Sequence, residues 1–107
     1  MSSIRQISAL ELKAMMDRGE PLELIDVRTE QERAVASIEG SKLLDDGVHE
    51  QLLSLDRDTA IVFQCHHGIR SQAAAEYFAG NGFRNLYNLI GGIDAWSEQV
   101  DRSVPRY

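Results

Sequence analysis

Three short apolar runs, Leu22-Glu23-Leu24-Ile25-Asp26-Val27, Thr59-Ala60-Ile61-Val62-Phe63 and Leu86-Tyr87-Asn88-Leu89, each stand ahead of a stretch that reads as helix. This alternation limits the possible folds more than any other feature of the chain. Runs this short and rich in β-branched residues are expected to be strands, and the nearly unbroken apolarity of 59–63 is that of a strand covered on both faces. Strands alternating with helices imply an α/β fold, with a largely parallel central sheet flanked by helices on both faces.

The helix boundaries are written locally. Ser8-Ala9-Leu10-Glu11 and Thr29-Glu30-Gln31-Glu32 both read as capping boxes, in which hydroxyl and carboxylate each satisfy a free backbone N–H at a helix start. The first helix is expected to run to about Arg18 and stop at Gly19, and the second to follow its strand at once. Ile38 to Leu44 reads as a weak strand interrupted by Gly40, and Asp46 to Leu55 as a helix with Leu52 and Leu55 inward. Residues 71–79 are strongly helical, closed by Gly80 and Gly82, and Asp94 to Glu98 form a last short helix after Gly91-Gly92. Trp96, Tyr77 and Phe78 are expected in the core, and His49 on the surface.

A chain of 107 residues holds one core, so residues 1–107 are expected to form a single domain. No apolar run approaches the roughly 18 residues of a membrane span. The N-terminal MSSIRQISALEL lacks the basic start and apolar stretch of a secretory leader. A net charge of −6 without any Lys/Arg run argues against nucleic acid and anionic membranes as partners. The one cysteine has no internal partner for a disulfide, which fits a reducing cytoplasm.

That cysteine stands where the run ending in Phe63-Gln64 gives way to a helix, and in α/β sheets such strand ends are where ligands gather. In Cys65-His66-His67-Gly68-Ile69-Arg70-Ser71, the thiol meets the positive end of the helix and its free N–H groups, which favour thiolate over thiol. Gly68 lets successive N–H groups converge into an anion-binding nest. Arg70 adds a planar fork of donors suited to an oxyanion, and Ser71 either caps the helix or donates into the loop. The result is an anion cradle with a nucleophilic sulfur at its base.

The loop from Cys65 to Ser71 resembles the active-site loop of single-domain rhodanese-like sulfurtransferases. Leu24-Ile25-Asp26-Val27-Arg28 with Glu32 is similar to the family's first signature, Ile38-Glu39-Gly40-Ser41 to its continuation, and Asn88-Leu89-Ile90-Gly91-Gly92-Ile93-Asp94-Ala95-Trp96 to its closing segment. Ala36-Ser37-Ile38 stands where the family usually has Gly-His-Ile. The resemblance implies a rhodanese-like domain in which Cys65 takes a sulfane sulfur from thiosulfate or a persulfide donor, holds it as a persulfide, and passes it to a thiol or cyanide. It implies Arg70 as the contact for the donor's oxyanion end, and no metal or organic cofactor.

Two other readings remain open. The chain could relay sulfur between proteins, with a protein as sulfur acceptor and little activity on free thiosulfate. It could instead be a Cys-dependent phosphatase or arsenate reductase, although such loops place five residues between Cys and Arg where Cys65 and Arg70 have four. His66 and His67 are expected at the mouth of the cradle and not on a metal, because adjacent side chains usually point apart. Asp26, at the end of its strand, is expected to take hydrogen bonds from backbone or from Arg28, with Arg28 and Glu32 paired across the next turn as structural supports.

Overall fold

The computed structural model describes residues 4–107; Met1, Ser2 and Ser3, the start of the segment read as lacking a leader, lie outside the described residues. In chain order the elements are β1 (Arg5–Ile7), α1 (Ala9–Asp17), β2 (Glu23–Asp26), α2 (Glu30–Val35), β3 (Lys42–Leu43), α3 (Asp46–Leu53), β4 (Ile61–Gln64), α4 (Ile69–Gly80), β5 (Leu86–Leu89) and α5 (Gly92–Gln99). The five strands form one parallel sheet in the order β1-β5-β4-β2-β3, so the expected α/β architecture is what forms.

Strand alternation splits the core in two. Leu24, Val62 and Leu89 face a cluster with Leu12, Ile38, Ile93 and Trp96, under α1 and α5. Ile25, Ile61, Phe63 and Leu86 face the other cluster, where Phe63 stacks on Phe78 at a centroid distance of 5.3 Å and Phe78 meets Phe83 edge-on at 5.7 Å, under α3 and α4. Burying both faces explains why β4 is buried along its whole length.

Both capping boxes are present, Ser8 with Glu11 and Thr29 with Glu32. Several boundaries differ from the sequence reading, each for a local reason. The N-terminal strand β1 was not foreseen: its three residues carry no period, and it exists because Arg5, Gln6 and Ile7 pair with Tyr87, Asn88 and Leu89. The expected strand over 38–44 shrinks to Lys42–Leu43, since Gly40 adopts φ +87 and Ile38 turns into the core. The helix expected to reach Leu55 ends at Leu53, and Leu55 packs from the turn beyond it. α4 starts at Ile69, two residues before the expected 71, and includes Gly80; α5 starts at Gly92 and runs to Gln99. The buried face of α4 is Ser71, Ala75 and Phe78, at helical spacing, which leaves Tyr77 49% exposed and not in the core. Its hydroxyl lies 2.7 Å from His49 Nε2, so His49 is half-buried against α4 and not simply solvated.

The connections define where a ligand can sit. After β2 the chain moves outward to β3; after β4 it moves the opposite way to β5. Loops leaving adjacent strands in opposite directions open a crevice at the strands' carboxyl ends, and here that crevice lies between the segments that follow Asp26 and Gln64.

Candidate active site

Cys65 to Gly68 turn the chain from β4 into α4. Gly68 is the N-cap residue of α4 with φ +104, and a Cβ there would sit 3.1 Å from the Leu89 carbonyl oxygen. A glycine cap brings no side chain to the free N–H groups of the helix start, so they need another acceptor. That acceptor is sulfur: the Gly68 N–H lies 3.1 Å and the Ser71 N–H 3.4 Å from Cys65 Sγ. The Cys65 sulfur thus serves as the cap of α4, which corrects the alternative in which Ser71 did so. Cys65 is only 1% exposed, so a reaction partner must come to the sulfur through the loop mouth.

Burial pushes the Cys65 thiol up, but the Ser71 hydroxyl and the N–H groups of Ser71, Gly68 and His67 more than offset this and hold it below its ordinary value. The Ser71 hydroxyl has one proton and two claimants. It donates to Asn88 Oδ1 at 2.6 Å and lies 3.3 Å from Sγ. While the cysteine is a thiol, its S–H can donate to Ser71 Oγ; once it is a thiolate, the hydroxyl proton must turn to the sulfur to stabilise it. Ser71→Ala is therefore expected to raise the midpoint of the pH profile of kcat/KM. The thiolate fraction, and with it the rate, falls at pH below the thiol pKa and recovers as pH rises; an unmoved midpoint would remove Ser71 from this role.

Asn88 was not foreseen as a site residue. It is buried in β5, accepts from Ser71, and donates through Nδ2 to the Gly68 carbonyl at 3.1 Å and to Gln6 Oε1 at 2.9 Å. A polar residue inside an otherwise apolar strand was the available signal, because a buried amide needs partners. Neighbouring Gln64 on β4 is also fully buried, and its side-chain amide has no partner among the described residues.

The loop is gripped from a second side. The first amides of α5 reach back to it: Ile93 N–H donates to the Cys65 carbonyl at 2.8 Å and Asp94 N–H to that of His66 at 3.2 Å. Gly92, at φ +58, allows this approach, since a Cβ there would lie 2.2 Å from the Cys65 carbonyl oxygen. The loop from Cys65 to Gly68 is therefore held between two helix starts, one capped by its sulfur and the other by its carbonyls.

The His66 and His67 rings do not point apart, as adjacent side chains were expected to. They lie 3.9 Å apart, and His66 also stacks on Tyr107 at 4.0 Å and 8°. His66, His67 and Asp94 bring ligating atoms within 4.8 Å of one another, yet both Asp94 oxygens are held by Arg106 at 2.9 and 3.1 Å. Ile69 is 82% exposed beside the loop.

The supports come from the segment after β2. Asp26 and Arg28 form a fully buried bidentate pair at 2.8 and 2.7 Å, and Arg33 adds a bond to Asp26 at 3.0 Å, as the sequence reading anticipated for Asp26. The expected side-chain pair between Arg28 and Glu32 does not form, because Asp26 turns Arg28 inward and Arg28 reaches only the Glu32 backbone carbonyl, at 3.5 Å. Glu32 instead spans the crevice to Arg70, with bonds of 2.7 and 2.9 Å. The Tyr107 hydroxyl donates to the same carboxylate at 2.7 Å and accepts from Arg28 at 2.9 Å. Arg70 beside it, aided by the Tyr107 hydroxyl and the Thr29 N–H against some burial, holds the Glu32 carboxyl far below the usual carboxylate range. Arg70, expected as a free cation for an oxyanion, is thus already paired.

The sequence profile of the Rhodanese-like domain family matches residues 8–99. The chain is 35% identical over 97 residues to the thiosulfate sulfurtransferase GlpE of Ectopseudomonas mendocina, covering 90% of this chain and 87% of that one. It is 33% identical over 95 residues to GlpE of Pseudomonas aeruginosa, covering 88% and 84% respectively. Among solved structures, a rhodanese-like domain protein from Staphylococcus aureus superposes with a TM-score of 0.77 at 30% identity, over 97% of this chain and 99% of that one.

Proposed function

The chain belongs to the rhodanese-like domain family and is a sulfurtransferase, and on that basis we propose that Cys65 carries the sulfur as a persulfide. The observation that carries this reading is the sulfur at the cap of α4, receiving the N–H groups of Gly68 and Ser71. Thiosulfate, the substrate in the names of the relatives, is the donor we assign. The Cys65 thiolate attacks its outer sulfur; the new S–S bond forms as the bond to the sulfonate sulfur breaks, and sulfite leaves with the electron pair. The negative charge now rests on the outer sulfur of the persulfide, one atom further into the mouth, where the N–H groups of the helix start and nest stabilise it. Cyanide or a thiol then attacks that sulfur and returns Cys65 as thiolate. The chain's own groups supply every step, and no cofactor enters.

Arg70 is the group we assign to the donor's sulfonate. We take residues 1–107 as one functional domain, because Val104 closes the core beside Trp96 and Tyr107 reaches the loop. Among the described residues no helix is long and apolar enough to cross a membrane. A single free thiol that must remain reduced points to the cytoplasm as the place of work. Incubation with thiosulfate is expected to add about 32 Da, one sulfur atom, to the intact protein, and cyanide to remove it. A protein that gains no mass, or keeps the gain in the presence of cyanide, would defeat the persulfide reading.

A further inference from the structure

We propose that Glu32 sets the donor preference of this site by competing with anionic sulfur donors for Arg70. The proposal rests on the reading above, in which Arg70 receives the donor's sulfonate.

Across the crevice between the segments after β2 and β4, Glu32 pairs directly with Arg70. Glu32 binds both terminal nitrogens of the guanidinium, so its two oxygens take one of the paired N–H edges that two sulfonate oxygens could use and its charge offsets that of the cation. Its carboxylate is aimed by three further bonds. The Thr29 N–H and hydroxyl each lie 3.3 Å from Oε1, and the Tyr107 hydroxyl lies 2.7 Å from Oε2. Tyr107 is fixed in turn by Arg28 and by its stack on His66. The pair is half-exposed on the Arg70 side, so the guanidinium can be exchanged to a donor entering from solvent.

Among the described residues, the other arginines paired around this region do not make up the deficit. Arg28 and Arg33 are committed to Asp26, and Arg106 to Asp94. The cradle around Sγ is therefore built of neutral N–H groups, while Arg70, the arginine of the same loop, is already matched by a carboxylate. A dianion such as thiosulfate must displace Glu32 from Arg70 before it gains a cation whose charge is not already offset. A persulfide without a sulfonate reaches Sγ without displacing it. The fraction of molecules with Arg70 free scales the apparent affinity for the dianion and leaves untouched that for a persulfide with no sulfonate to place on Arg70.

The test is Glu32→Gln, measured with thiosulfate and with a simple alkyl persulfide, which carries no sulfonate, as donors and cyanide as acceptor. Gln keeps the capping pattern at α2 and can still accept from Tyr107. KM for thiosulfate is expected to fall about fivefold or more, with kcat within about twofold and KM for the persulfide unchanged. Tyr107→Phe, which removes only the hydroxyl that holds Glu32, should move KM for thiosulfate in the same direction by less. A purely structural Glu32 predicts the opposite: lower kcat and lower melting temperature, with KM for thiosulfate unchanged or raised. Either of those KM results in a folded variant overturns the proposal. Absence of Cys65-dependent thiosulfate turnover in both wild type and Glu32→Gln overturns the underlying reading of the donor, and the proposal with it. Should Glu32→Gln not fold, an unchanged KM in Tyr107→Phe decides against the proposal.

Discussion

Cys65→Ser is expected to be a folded protein that transfers no sulfur, with thiosulfate:cyanide turnover lowered by at least about 10³-fold. The replacement is close in shape, and the serine hydroxyl can still accept from the Gly68 and Ser71 N–H groups that cap α4. The melting temperature should therefore stay near that of the wild type. Chemistry does not survive the exchange. A hydroxyl ionises far above any working pH, and the groups around position 65 are hydrogen-bond donors, which stabilise an anion but take no proton from an alcohol. No stable analogue of the persulfide can form on oxygen in this cycle. A variant turning over within tenfold of the wild type would place the transferred sulfur elsewhere.

The largest effect on stability is expected from Asp26→Ala. Asp26 and the Arg28 side chain are both fully buried, joined by two bonds with a third from the Arg28 backbone N–H and a fourth from Arg33. Removing the carboxylate leaves a guanidinium buried in the core with the Ala36 carbonyl, at 2.6 Å, and the Tyr107 hydroxyl as its closest remaining partners. Breaking a buried pair in this way costs about 3–5 kcal/mol. A domain of this size has a total of about 5–15 kcal/mol, so the variant should be partly unfolded or lose tens of degrees in melting temperature. Chemical denaturation is the measurement. A loss below about 1 kcal/mol would mean that the pair is not what fixes the segment after β2. Asp26→Asn, which keeps the shape and some of the bonds, should fall between the two.

The parts of this molecule that were legible in the sequence are the parts decided within a few residues. The capping boxes at Ser8 and Thr29 depend on a residue three positions away, and both form. The strand-to-helix position of Cys65 is local too, since it needs only Phe63 and Gln64 before it and a helical run after it. What stayed hidden depends on distant pairing. β1 exists only because Gln6 finds Asn88 across the sheet, and Asn88 matters because it ties Gly68, Ser71 and Gln6 together. Glu32 looked like the tail of a capping box and is also the carboxylate on Arg70, a second role that required the sheet order to bring α2 beside α4. On α4 the core expectation holds for Phe78 but not for Tyr77: the buried face is Ser71, Ala75 and Phe78, and the apolar ring of Tyr77 points partly to solvent.

The stack of Tyr107 on His66 has a consequence for how this domain could be joined to others. Position 107 lies over the mouth of the loop, with its hydroxyl bridging Arg28 and Glu32. Any polypeptide continued from that residue would leave the domain beside the loop that carries Cys65. A thiol carried on such an extension would meet the Cys65 persulfide as an intramolecular reactant, at an effective concentration that a short flexible tether sets in the millimolar range. Attachment ahead of β1, at the far edge of the sheet, gives no comparable delivery. In a fused arrangement, the identity of the sulfur acceptor would then be a matter of tether geometry as much as of molecular recognition.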